Sequence, residues 1–428
     1  MSVWKGELKM TLMGEKSIGL DTNFDVPLWR VRRTRPTGFR FLFCVLLGTV
    51  LSAFAGEPPA VQARASIRWT RTICREDGRY IGWPTVCRLK NGELLAVFSG
   101  DRDAHVCPWG KVQLIRSTDE GETWSKPVTI ANGPIDDRDA GVVQLPNGDV
   151  VVTWFTSMAW AANKKNAAWQ RHLETIDPKV IADAMGNFLI RSTDNGHTWS
   201  KPQKLSGYEQ TPHGPIVLKD GSLLQIGRRS TRPDAGARDR FEKTIVTVAK
   251  SVDGGRSWKV LCPEIPAMAG ENDKPSRFHE PHVAELADGT LVGLVRYHGT
   301  EGEGARPGNG YMRTTFSQDG GRTWTPMKAT PLLGLPPHLL TLDDGKLLCV
   351  YGRRLGRPGF GEFACLSDDG GRTWDVAHEI VLKPAANGDL GYPATCKLAN
   401  GDLLTVYYQQ EAPGGKTVLM ATKWRVTK

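Results

Sequence analysis

Apolar and polar positions alternate along most of this chain, and the alternation recurs in a fixed form. Six stretches each read as a short apolar run, an Asn-Gly or Asp-Gly pair (Lys/Asp-type neighbours vary), and a second apolar run. They are PTVCRLKNGELLAVF from Pro84, AGVVQLPNGDVVVTW from Ala140 and HGPIVLKDGSLLQIG from His213. The other three are PHVAELADGTLVGLV from Pro281, PHLLTLDDGKLLCVY from Pro337 and PATCKLANGDLLTVY from Pro393. Asn-Gly and Asp-Gly favour the left-handed turn that joins two twisted antiparallel strands, so each stretch predicts a β-hairpin. The hairpin glycines are Gly92, Gly148, Gly221, Gly289, Gly345 and Gly401, spaced by 56, 73, 68, 56 and 56 residues.

A second pattern, Ser-x-Asp-x-Gly-x-x-Trp, follows five of the six hairpins. Its copies run Ser117–Trp124, Ser192–Trp199, Ser251–Trp258, Ser317–Trp324 and Ser367–Trp374. Ser and Asp side chains bond nearby backbone N–H groups, Gly supplies a positive φ, and Trp pins the loop to a core. The pattern therefore predicts a structural turn between a third and a fourth strand. Four antiparallel strands per unit and six units make an all-β, six-bladed β-propeller. The sixth unit lacks the turn and ends in TVLMATKWRV, which predicts its third strand. Residues 66–74 (SIRWTRTIC) are then left to supply its outer strand and close the ring.

The longer spacings mark insertions. Ser157 to Met185 is Ala-rich, lacks strand alternation and carries apolar residues at helical spacing, which predicts a short helical insertion in blade two. The second, TRPDAGARDRFEKT, predicts a charged loop. Long loops on one propeller face commonly shape a site.

Composition adds boundaries more than chemistry. The 428 residues carry a formal charge of +9 and 14 Trp. Residues 1–55 hold eight Lys/Arg and four Asp/Glu, leaving about +5 for the rest, with no dense basic block of nucleic-acid-binding type. Arg30, Arg32, Arg33, Arg35 and Arg40 precede the apolar run Phe41–Ala55, which ends Ala53-Phe54-Ala55. That is the pattern of an export signal cleaved after Ala55, and the run is short for a membrane span. The expected organisation is thus an N-terminal extension and signal over 1–55 and a propeller over 56–428, secreted or periplasmic, with no stable membrane insertion. Beyond Cys44, seven cysteines remain, an odd number with no C-x-x-C, so at least one is unpaired. Cys87, Cys349 and Cys396 lie in apolar runs and read as small buried hydrophobes. No metal-ligand spacing is present and no cofactor is implied.

Candidate chemistry emerges on comparing the six repeats where each innermost strand begins. Nine residues before the hairpin glycines stand Trp83, Asp139, Pro212, Glu280, Pro336 and Tyr392. Beside them lie Arg138, His213, His279, His282 and His338. Otherwise similar units differ most there, and the differences are ionisable or aromatic.

The five boxes on six blades resemble the Asp-box propellers of the sialidase (neuraminidase) superfamily, over residues 66–428. That resemblance implies a Tyr nucleophile partnered by a Glu, an Asp acid/base and three arginines holding a sugar carboxylate. Glu280 with HVAELADGTLVGLVR and Arg296 is similar to the family's Glu and second arginine; Tyr392 in GYPATCKLANGDLLTVYY is similar to its Tyr. The acid/base is expected within GDRDAH, at Asp101, Asp103 or His105, with Asp103 taken first. The third arginine falls among Arg353, Arg354 and Arg357, with Arg354 carried forward. The chain departs from the family at Gly82-Trp83-Pro84, where the first arginine would stand, and in the histidines His105, His213, His282 and His338.

A phenol of pKa about 10 needs a carboxylate to draw off its proton, and the planar arginine fork suits a carboxylate ligand. The resemblance therefore implies an exo-acting glycosidase on the terminal acidic sugar of a glycan. Two rivals remain: a related propeller acting on uronic-acid or rhamnose-containing polysaccharide with His as acid or base, and a carbohydrate-binding propeller without catalysis.

Overall fold

The computed structural model describes residues 64–209, 211–230, 244–267, 277–298, 310–354 and 359–427. The segment expected to be an export signal, the charged loop over 231–243 and Arg357 lie outside the described residues.

Each of the six repeats folds into one four-stranded antiparallel sheet. The innermost strands are Tyr80–Arg88, Asp136–Gln144, Ile216–Val217, Phe278–Glu285, Pro337–Thr341 and Leu390–Lys397. Every hairpin glycine takes the left-handed conformation, with φ between 82° and 96°. Blade six closes the ring as expected. Its third strand, Thr417–Val426, pairs with Ala65–Cys74 in a register running from Ala65 opposite Val426 to Cys74 opposite Leu419. Ends of the chain distant in sequence thus share one sheet, and the edge strand that an open ring would expose is covered.

The boxes are turns. In each, the Ser hydroxyl accepts from the Gly backbone N–H (2.7–3.0 Å) and donates to the Asp carboxylate (2.6–2.9 Å). The Asp also accepts from the backbone N–H four residues on, at 2.8–2.9 Å. The Trp indole donates to the Gly carbonyl in the first, third and fourth boxes. Between blades the sheet faces interdigitate. Val292, Leu294 and Met312 of blade four pack against Leu339, Leu347, Tyr351 and Phe363 of blade five, together with Trp374.

The insertion in blade two contains a 3-10 turn at Ala159–Ala162 and two short helices, α1 (Ala167–Thr175) and α2 (Pro178–Ala184). Asn166 caps α1 by accepting from the Trp169 N–H, and Asp177 with Pro178 starts α2. Trp160 and Trp169 anchor the insertion on Cys107 and Trp109 of the blade-one loop. The seven described cysteines are all free, six of them buried.

Candidate active site

The inner strands do not run straight into the channel mouth. Register shifts fall between Gly82 and Thr85, Arg138 and Gly141, Phe278 and Pro281, and Gly391 and Ala394. At three of these bulges a non-glycine residue takes a left-handed φ: Trp83 at 56°, Asp139 at 52° and Tyr392 at 56°. Such a conformation costs of order 1–3 kcal/mol and is concentrated at functional sites, where it aims a side chain. Here it turns equivalent residues of blades one, two and six to one place.

Tyr392 and Glu280 meet there although 112 residues apart. The phenol donates to Glu280 Oε1 at 2.7 Å. Arg296, on the second strand of blade four, donates to the Tyr392 oxygen at 3.2 Å and pairs with Glu280 Oε2. Burial alone would raise the Glu280 pKa; the Arg296 charge and the hydrogen bonds from Tyr392 and Arg296 outweigh it, and the carboxyl lies below its ordinary value. Burial, and then the Glu280 charge, hold the Tyr392 phenol well above 10. The pair is therefore a protonated phenol facing an ionised carboxylate, the arrangement needed for the carboxylate to take the proton as the oxygen attacks.

Other expected residues frame this group. The positive charges of Arg138 and Arg354 bear on Tyr392, and Arg354 is oriented by donating from Nε to the Gly388 carbonyl at 3.0 Å. Its neighbour Arg353 instead bonds Glu379 and lies over Phe363, a structural placement. Asp139 is buried beside Arg138, 3.9 Å from its Nε, and its N–H donates to Ser99 Oγ at 3.1 Å. Burial raises the Asp139 carboxyl to about 7 against the opposing Arg138 charge, with Glu280 adding to the rise. Trp83 is 1% exposed. Its ring lies 6.3 Å from that of Tyr392, 4.8 Å from His105 and 5.6 Å from Tyr408, and the Arg138 guanidinium sits 4.5 Å over it. His105 is held by the Tyr80 hydroxyl at 3.0 Å; burial, then Arg138 and Arg354, lower it to about 3, so it is neutral.

Asp103 and three of the histidines have partners of their own. Asp103 is tied to Arg79, Trp109 and Trp169, so its bonds join the blade-one loop to the insertion. His213, His282 and His338 form their own buried cluster in the channel, with ring centroids 4.4–5.7 Å apart. They line a cavity of about 560 Å³ that runs away from the blade-start residues, past Thr85 and Thr395 toward Lys397. His282 Nδ1 accepts from the Leu339 N–H at 3.0 Å.

Three residues missed in the sequence belong to the site. Seven residues past each hairpin glycine stand Ser99, Phe155, Arg228, Arg296, Gly352 and Tyr408. Applied to the second strands, the repeat count that found Tyr392 would thus have found Arg228 and Tyr408. The Arg228 guanidinium feels both Glu280 and Arg296, and burial lowers it to about 10. Arg102, the third, is fully buried and grips Asp136 through two bonds of 2.5 and 2.9 Å. Only its proximity to Asp103 could have drawn notice.

A six-bladed propeller that gathers a tyrosine, a glutamate and several arginines at the channel mouth has counterparts among known proteins. Residues 111–405 match the BNR repeat-like domain, and the chain belongs to that family as a BNR propeller of the sialidase superfamily. It is 26% identical over 340 residues to a sialidase of Bacteroides fragilis, covering 71% of this chain. The chain spans 56–61% of the length of the sialidase relatives it matches. Among solved structures, a protein of unknown function from Dyadobacter fermentans aligns with a TM-score of 0.66 and 24% identity, over 85% of this chain and all of that one. A Hadza microbial sialidase aligns at 0.58 and 18%, over 83% of this chain and 68% of that one. At these identities the structural likeness speaks for the fold.

Proposed function

We propose that this protein is a sialidase-like glycoside hydrolase that removes a terminal acidic sugar from a glycan, and that it acts after export. The observation that carries the reading is the hydrogen-bonded set of Tyr392, Glu280 and Arg296 at the channel mouth. Tyr392 Oη attacks the anomeric carbon while Glu280 takes the phenol proton. Desolvation keeps the phenol protonated until the substrate is bound, so nucleophilicity arises only in the reacting complex. Arg296, Arg354 and Arg138 supply positive charge for the sugar carboxylate, the ligand for which guanidinium geometry is suited.

The test is turnover of a panel of α-sialosides and acidic polysaccharides by the purified chain, alongside Tyr392→Phe. Loss of a nucleophile is expected to lower kcat by about a thousandfold or more. Wild-type turnover by Tyr392→Phe would remove the assignment.

One observation favours a second reading. Trp83 fills the place where the resemblance implies an arginine, which suits a different acid sugar, such as a uronic acid, with His105 as the neutral base of an elimination. An unsaturated product absorbing in the ultraviolet would mark that lyase chemistry; its absence with release of reducing sugar would mark hydrolysis.

A further inference from the structure

We infer that Asp389 and Tyr80 hold the His105 ring with its Nε2 bare, and that His105 thereby accepts a hydrogen bond from a hydroxyl of the sugar. The site then selects an acidic sugar that carries a donor at that point. The inference deepens the hydrolase reading above and rests on it. Asp389 and Tyr80 act through His105 and are positioning residues.

The tautomer follows from counting hydrogens along one chain of contacts. The Tyr80 hydroxyl donates to Asp389 Oδ1 at 2.7 Å. The same phenol oxygen stands 3.0 Å from His105 Nδ1. A hydroxyl has a single hydrogen, and here the carboxylate takes it. The second contact is therefore a hydrogen bond only when Nδ1 carries the hydrogen and the phenol oxygen accepts. A neutral imidazole has a single N–H, which leaves Nε2 as an acceptor. Asp389 is fixed in turn: its backbone N–H donates to Asn387 Oδ1 at 2.9 Å, and Asn387 Nδ2 donates to Gln410 Oε1 at 2.7 Å. Tyr80 begins the inner strand of blade one, and Asp389 immediately precedes that of blade six. The relay exists because ring closure sets these two blades side by side.

The surroundings keep the ring neutral. It meets the edge of Trp83 at 4.8 Å, and the Arg138 and Arg102 guanidiniums lie 4.5 and 5.0 Å over that indole. An imidazolium would add a positive charge among these cations; burial, with Arg138 and Arg354, holds the ring down to about 3. His105 Nδ1 is 4.0 Å from Asp389 Oδ1, beyond a direct hydrogen bond, so the phenol between them carries the contact. The side chain is nonetheless 43% exposed, and Nε2 has no partner among the described residues. Arginines only donate, so Arg138, Arg296 and Arg354 suit a carboxylate and cannot accept from a hydroxyl. A bare Nε2 asks for the opposite, a donor, and the hydroxyls of an acidic sugar supply it.

Two measurements on the full chain test this. In ring-nitrogen NMR spectra of isotope-labelled histidine, the His105 signals are assigned by their loss in His105→Phe. Nε2 is expected to be unprotonated in wild type and to carry the hydrogen in Tyr80→Phe, where Nδ1 has lost its acceptor. Turnover is then compared between the acidic glycoside that wild type cleaves and its monodeoxy analogues. Removal of one hydroxyl is expected to lower kcat/KM about 10–100-fold in wild type and less than about threefold in His105→Phe. His105→Gln, which keeps an acceptor there, is expected to recover part of that dependence, which a misfolded chain would not. A protonated Nε2 in wild type, or equal losses in wild type and His105→Phe for every analogue, overturns the inference. A wild-type chain that turns over no α-sialoside or uronide overturns the hydrolase reading itself, and the recognition inferred here with it.

Discussion

Arg102→Met tests how the site is held together. Arg102 and Asp136 are both 0% exposed, and the guanidinium meets both carboxylate oxygens at 2.5 and 2.9 Å. The same guanidinium donates to the carbonyls of Ala104, His105 and Asp137 at 3.2–3.4 Å. One side chain thus ties the loop that carries Asp103 and His105 to the strand that carries Arg138 and Asp139. Packing around it is tight: a Cβ on Gly110 would fall 2.0 Å from Arg102 Nη1 and 2.1 Å from Asp136 Oδ1. Removing the guanidinium leaves Asp136 a buried charge with Arg138, 3.7 Å away, as its remaining ion-pair partner. Breaking a buried pair from one side costs about 3–5 kcal/mol, whereas exchanging both partners for apolar groups is often close to neutral. Denaturant melts of Arg102→Met should therefore show a loss of about 3–5 kcal/mol, and Arg102→Met/Asp136→Leu a smaller one. A single variant within about 1 kcal/mol of wild type would place the pair among ordinary exposed salt bridges and refute the reasoning. A double variant as damaged as the single would show that packing, not the uncompensated charge, sets the cost.

Other outcomes follow from the same physics. Burial raises the Asp137 carboxyl to about 6, so the folded chain binds a proton there that the unfolded chain releases near its ordinary value of 3.8. Stability from this group is full below about pH 4 and is lost as pH rises toward 6; Asp137→Asn should flatten that fall in pH-dependent melts, and an unchanged slope would contradict it. Deleting residues 64–74 strips the outer strand from Thr417–Val426 and bares its edge. Self-association by size-exclusion chromatography and a lower melting temperature are expected, and an unchanged monomer would argue against closure by this strand.

The relation between sequence and fold is clearest in the repeats. Asn-Gly and Asp-Gly pairs dictate left-handed turns locally, and the boxes satisfy their own hydrogen bonds within eight residues. Blade count, strand order within a blade and the helical insertion were therefore legible without any long-range information. Closure by Ala65–Cys74 was legible too, because five blades supplied their own outer strand and one did not. Tyr392 and Glu280 were legible through the repeat count, since equivalent positions in a closed ring must face a common axis. Arg228 and Tyr408 obey a count of the same kind and were overlooked on the neighbouring strand.

What the sequence could not decide is the environment each neighbouring carboxyl meets. Asp103 and Asp139 are the same residue type, each beside an arginine in the chain. Asp103 has Arg79 and two indoles brought to it from elsewhere in the chain, which hold it below its ordinary value despite partial burial. Asp139 is buried at a bulge near Glu280, which raises it. Likewise the histidines share blade-start positions with the site yet pack together in the channel, because a one- or two-residue step along a bulged strand changes which way a side chain points. Local turn chemistry is written in adjacent residues; desolvation and charge–charge coupling exist only once six blades have closed around one axis.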